Sequence, residues 1–258
     1  MDAASIDVAD GNVRLRSVLH SLGLIVAAFV VGIGMVLVGF NLLSLAGVTV
    51  RDGETIPAWI QALGAALQFV GFIAVGLLYL RWHDDAADLF RIDAPSLRDI
   101  GWAALGLIGL FVILAVVSSV ITLLGIRPAE NSAITAGREQ PVLLLYLLAV
   151  TVFFTAPAEE LIFRGLVQGL FRRAYGVKLG LVIASLLFGV VHYVALAGTG
   201  SRLVYIVVAG ILGLVLGALY EKTQNLIVPI IVHGAYNTVI FYTAYLAATG
   251  GIEMPNML

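Results

Sequence analysis

The chain has 258 residues, of which 61% are hydrophobic and 12% charged, and its mean hydropathy is +1.05. A soluble domain carries about a quarter charged residues, so the composition excludes an ordinary soluble globule. It sets the fold class as all-α, a polytopic transmembrane helix bundle. The formal net charge of -2 offers no electrostatic footprint for nucleic acid, and the lack of cysteine excludes disulfides and thiolate metal sites.

Residues 1–12 are polar and acidic, Arg14 and Arg16 follow, and an apolar run extends from Val18 to Val50. A signal-peptide core is roughly 7–15 residues long, so this run is expected to stay in the membrane as an anchor. The expected organisation is a cytoplasmic tail over 1–17 and one transmembrane domain over 18–258. A bilayer-crossing helix needs about 20 apolar residues. Seven segments qualify: 18–44, 58–80, 101–125, 141–163, 179–198, 203–220 and 226–249. The long first run has room for one more short helix, which makes the expectation seven to eight helices.

Lysine and arginine placement sets the orientation. With the N-terminus cytoplasmic, the inner segments hold ten of these residues, from Arg14 to Lys222, and the outer ones hold four: Arg51, Arg127, Arg138 and Arg202. The bias predicts a multi-pass protein with a cytoplasmic N-terminus and Glu159 near the cytoplasmic end of the fourth span. The connection "RWHDDAADLFRIDAPSLRDI", 81–100, mixes both charge signs with apolar residues. It reads equally as an amphipathic surface segment or a solvated connector.

Apart from tyrosine, few ionisable side chains lie at membrane depth. They are His20 at the edge of the first span, the group Glu159, Glu160 and Arg164, and the histidines His192 and His233. Such groups usually face a cavity or one another. Neighbouring helical residues differ by about 100° around the axis, so Glu159 and Glu160 cannot share a direction. Glu160 and Arg164 stand i,i+4 in the favoured order for an ion pair, which leaves Glu159 free to face a pocket as a general base. Pro157 removes a backbone donor and predicts a kink there. Phe188 with His192, and His233 with Asn237, each share a helix face. His233 and Asn237 can orient a water or donate to an oxyanion, and Gly234 between them lets another backbone approach. Taken singly, each feature also fits ordinary interhelical bonding or a charged membrane edge. Together they supply a carboxylate, two imidazoles and an amide, the parts of a centre that activates water.

The strings "EELIFR", "FGVVH" and "HGAYN" match EExxxR, FxxxH and HxxxN in that order. The chain thereby resembles the CAAX protease and bacteriocin-processing (CPBP, or Abi) family, which includes the Ras-converting CAAX prenyl endopeptidase. The motifs run from 159 to 237, within a catalytic core expected at about 141–249. The resemblance implies a bundle of about eight helices and an intramembrane endopeptidase whose site opens toward the cytoplasm. By the same resemblance Glu159 activates a water, Glu160 and Arg164 support it, His192 helps hold the water, and His233 with Asn237 stabilises the oxyanion. The depth of His192 conflicts with this: at 1.5 Å per residue it lies roughly 20 Å beyond Lys178.

No cofactor follows from the residues. Zinc held by two histidines and a glutamate, the metalloprotease reading, stays open beside a metal-free glutamate mechanism. The implied partners are a peptide or lipidated-peptide substrate and the lipid bilayer, and the implied location is the plasma membrane of a prokaryote. A non-catalytic immunity or scaffold factor is the alternative from the same family. A proton-relay transporter predicts an internal repeat, and the sequence shows none.

Overall fold

The computed structural model describes residues 11–252. Its helices are α1 (Gly11–Leu45), α2 (Ala58–Trp82), α3 (Leu97–Leu123), the short α4 (Ser132–Glu139), α5 (Pro141–Val150), α6 (Ala156–Glu160), α7 (Gln168–Val191), α8 (Arg202–Thr223) and α9 (Ile227–Ala248). Two-residue strands β1 (Glu130–Asn131) and β2 (Leu196–Ala197) pair antiparallel. Residues 1–10 of the expected tail lie outside the described residues, and the remainder is already helical, because α1 begins at Gly11.

Among the described residues, six helical runs are long and apolar enough to cross a membrane. The longest, residues 141–195, contains α5, α6 and α7 and carries both the fourth and the fifth expected spans. It breaks at Gly176, whose φ of 80° and ψ of 169° leave the helical region. The chain doubles back there so tightly that a Cβ on Gly180 would lie 2.6 Å from the Arg172 nitrogen. The fourth span therefore extends well past residue 163, and Glu159 sits deep within it rather than near its end. Glu159 stands 17 residues before Gly176 and His192 stands 16 after it, on antiparallel arms. The two side chains thus share a level, which removes the depth conflict.

α1 packs on α2 and α7, α7 on α8, α3 on α8 and α9, and α5 on α2 and α9, while α6 lies inside against α2 and α9. The outward faces are apolar stripes at helical spacing, such as Leu15, Leu19, Leu22, Val26, Val30 and Ile33 on α1, all exposed. Lipid is the solvent that such stripes match. Because the helices alternate in direction, one end of the bundle gathers the start of α1, the 83–96 connection, Gly176 and residues 224–226. The other gathers the α1–α2 and α3–α5 connections and the β1–β2 ribbon. At that second end Gln140 Nε2 donates to the Ile56 carbonyl at 2.9 Å.

The 83–96 connection keeps most of its residues exposed but is tied to the helices at several points. Leu89 is buried beneath Gly169, and Phe90 packs beside Gly165. Arg172 donates to the Leu89 carbonyl at 2.8 Å, Arg173 holds Asp85, and Asn225 Nδ2 donates to the Asp93 carbonyl at 3.0 Å. The segment is a strap fastened across the N-terminal end of the bundle.

Candidate active site

Pro157 has no N–H to donate to the Phe153 carbonyl, and the helix accommodates this with π-helical turns rather than a sharp kink. Thr151–Thr155 and Leu161–Val167 are π-helical, on either side of α6. Single π-helical turns often accompany functional sites. Here they set the direction in which Glu159 and Glu160 leave the helix.

The two glutamates part as expected. Glu160 is fully buried, and Arg164 Nε lies 3.1 Å from its Oε2. That contact is one of charge rather than an aligned hydrogen bond. The Arg164 guanidinium also stacks over the Phe188 ring at 4.1 Å and donates to the Gly213 carbonyl at 3.3 Å. The unexpected partner is His233, whose Nδ1 is 2.7 Å from Glu160 Oε1, with Nε2 3.7 Å from Glu159 Oε2. The imidazole therefore stands between the two carboxylates. Glu159 keeps 15% of its side chain exposed.

His192 Nδ1 lies 2.7 Å from the Phe188 carbonyl. A carbonyl only accepts, so Nδ1 carries the proton and Nε2 of the neutral ring is the free lone pair. Asn237 Nδ2 donates to the Thr151 hydroxyl at 3.2 Å. Gly234 does not bring a backbone unusually close, since a Cβ there would meet the Ala156 Cβ and the Val152 Cα at 3.7 Å, an ordinary contact.

Glu159, His192, His233 and Asn237 all line one cavity of about 390 Å³, whereas Glu160 and Arg164 stand behind its wall. The rest of the lining is mainly apolar, including Phe29, Phe69, Phe72, Leu110 and Leu212. At the end away from the N-terminus its walls include Asn131–Ile134, Val194 and Ala195, and no residue of the opposite connections lines it. A second cavity of about 960 Å³ shares Asn131, Ile134 and Ile240 with the first and is lined by Arg127, Glu130 and Arg138.

Zinc is tested by the available donors. Among the described residues no three His, Asp or Glu side chains come together to hold an ion. Nδ1 of His233 and of His192 is engaged by Glu160 and by the Phe188 carbonyl, an arrangement that leaves Nε2 of each ring toward the cavity and does not by itself decide for or against a metal. The residues present do not form a zinc site, and the chemistry below uses none.

Three site residues had no signal in the sequence. Thr151 holds Asn237, while Tyr205 and Asn131 join at 3.1 Å in the cavity wall. A threonine or tyrosine in an apolar span is unremarkable, and Asn131 lies in a connection.

The described residues thus form a helical bundle with six runs fit to cross a membrane, and a carboxylate, two imidazoles and an amide gather around one apolar cavity. Residues 141–239 match the family described as type II CAAX prenyl endopeptidase Rce1-like. This agrees with the resemblance of the three motifs, all of which fall inside the matched segment, and the family implies a protease. No curated protein and no solved structure matches the chain.

Proposed function

We propose that the protein is an intramembrane endopeptidase that cleaves a peptide by water activated at Glu159. The observation that carries this reading is the meeting of Glu159, His192, His233 and Asn237 on one cavity while Glu160 and Arg164 stay behind it. Glu159 takes a proton from water as the oxygen bonds to the scissile carbonyl carbon, and the carbonyl electron pair moves onto its oxygen. His192 Nε2 accepts from that water and orients it. The oxyanion lies toward Asn237 Nδ2 and the His233 ring, which Glu160 anchors through Nδ1 at 2.7 Å. Collapse breaks the C–N bond, and the proton on Glu159 passes to the leaving amine.

The apolar lining suits a hydrophobic or lipidated peptide, and the family match favours a prenylated CAAX-type terminus among these. The peptide enters from the end formed by β1, α4 and β2. Which membrane face that end meets decides whether a cytoplasmic CAAX terminus can reach Glu159. Buried Arg164 no longer counts toward charge bias, which leaves nine basic residues toward the N-terminal end against four.

The test uses purified protein in detergent with a fluorogenic farnesylated CAAX peptide and an unlipidated hydrophobic peptide. Cleavage by wild type that resists a strong chelator and disappears in Glu159→Ala supports the reading. Cleavage unchanged in Glu159→Ala overturns it, and loss with chelator overturns the metal-free mechanism.

A further inference from the structure

We propose that the Tyr205 hydroxyl is a fixed hydrogen-bond donor to the backbone carbonyl of a peptide in the catalytic cavity, and that Asn131 fixes its direction. This rests on the endopeptidase reading and adds a substrate-positioning pair to it. Asn131 lies outside the segment that matches the family.

The argument begins at a helix cap. Asn131 is the N-cap of α4, and its Oδ1 accepts from the Ala133 backbone N–H at 2.9 Å. That bond settles which end of the amide is oxygen, since only oxygen can accept there. Nδ2 must therefore be the atom facing Tyr205, and it donates to the phenol oxygen at 3.1 Å. A phenol that accepts this bond still has its own proton to give. Tyr205 and Asn131 line the same cavity as Glu159. The Tyr205 ring also stacks on His192, with centroids 6.5 Å apart and planes 30° from parallel. The phenol is thus held on the side of the cavity where the His192 ring stands. It suits a peptide carbonyl next to the scissile one rather than the oxyanion.

An extended peptide offers such carbonyls at regular intervals, and an apolar cavity offers few other donors to satisfy them. A neutral hydrogen bond of this kind acts equally on the bound substrate and on the transition state. Its loss falls on KM rather than kcat.

The test is a double-mutant cycle. Tyr205→Phe keeps the ring on His192 and removes the O–H. Asn131→Asp keeps the helix cap but presents only acceptors, so the hydroxyl turns toward it and away from the cavity. Each change is expected to raise KM for the farnesylated peptide roughly 3- to 10-fold with kcat nearly kept. The double variant is expected to be no worse than either single one. An unchanged KM in Tyr205→Phe overturns the proposal. So does an Asn131→Asp effect that persists in the Tyr205→Phe background, since it would then act through charge alone. If wild type cleaves neither peptide, the endopeptidase reading fails first. The affinity of Glu159→Gln for the dye-labelled farnesylated peptide, with and without Tyr205→Phe, then decides: a roughly 3- to 10-fold weakening keeps the donor, and equal binding removes it.

Discussion

Glu160 and His233, which the sequence separates by most of three helices, meet at 2.7 Å in the centre of the bundle. Glu160 thereby serves two partners, Arg164 on its own helix and the imidazole on α9. Removing one member of a buried ionic group leaves the other uncompensated, at a cost of about 3–5 kcal/mol. Glu160→Gln is therefore expected to lose activity and to unfold at distinctly lower denaturant. Glu159→Gln, at the cavity wall, is expected to lose activity with stability kept. Unfolding curves in mixed detergent, run beside cleavage assays, check the contrast, and equal stability for the two variants would contradict it.

The same pair shows what the sequence could and could not reveal. Glu159, His192, His233 and Asn237 were legible because ionisable and amide groups are rare in apolar spans and stand out. The Glu160–Arg164 pair was legible from its i,i+4 spacing. The contact of Glu160 with His233 was not, because it depends on how far α9 slides along α6, which no local pattern encodes. Thr151, Asn131 and Tyr205 were hidden for the opposite reason to the glutamates: their residue types are ordinary where they stand. The reversal at Gly176 was blurred because Val177 and Leu179 continue the apolar run, so the fourth span seemed to end early. The strap over 83–96 carried mixed charges that suggest solvent, yet Leu89 and Phe90 pack beneath it.

Two glycines that look alike in the sequence are expected to behave differently. Gly176 has a positive φ and an extended ψ, a region essentially reserved for glycine. Gly176→Ala is expected to destabilise the protein by about 1–3 kcal/mol and to lower its yield in membranes. Gly234 is helical with ordinary space around it, so Gly234→Ala is expected to fold and cleave like wild type. Thermal unfolding of both variants, followed by the assay on Gly234→Ala, tests this.

The cavity and the charge bias make a joint prediction about sidedness. The cavity reaches the end of the bundle that holds Asn131 and Ala195, while most basic residues lie at the other. Because the chain lacks cysteine, single substitutions report cleanly. Asp84→Cys is expected to be shielded from a membrane-impermeant maleimide in intact cells, and Thr199→Cys to be labelled. That result would place the cavity mouth away from the cytoplasm and favour peptides presented there over a cytoplasmic CAAX terminus. The reverse labelling would overrule the charge bias and put the mouth where prenylated termini are found.

Thr151 gives the sharpest test of the oxyanion assignment, because it touches Asn237 without lining the cavity. Its hydroxyl accepts one of the two N–H bonds of the Asn237 amide and so stops the amide from rotating. The second N–H is then held toward the oxyanion. Thr151→Val keeps the shape and removes the acceptor, so the amide is freed and the donor is misdirected part of the time. Loss of one oxyanion donor costs about 100- to 1,000-fold in kcat, which is the expected effect of Asn237→Ala. Thr151→Val is expected to cost about 10-fold in kcat, since the donor remains but loses its orientation, with KM unchanged. Combining the two should add nothing to Asn237→Ala, because an amide that is gone cannot be misaligned. If Thr151→Val instead slows the Asn237→Ala enzyme further, Thr151 acts on the site by another route and the oxyanion assignment loses its support.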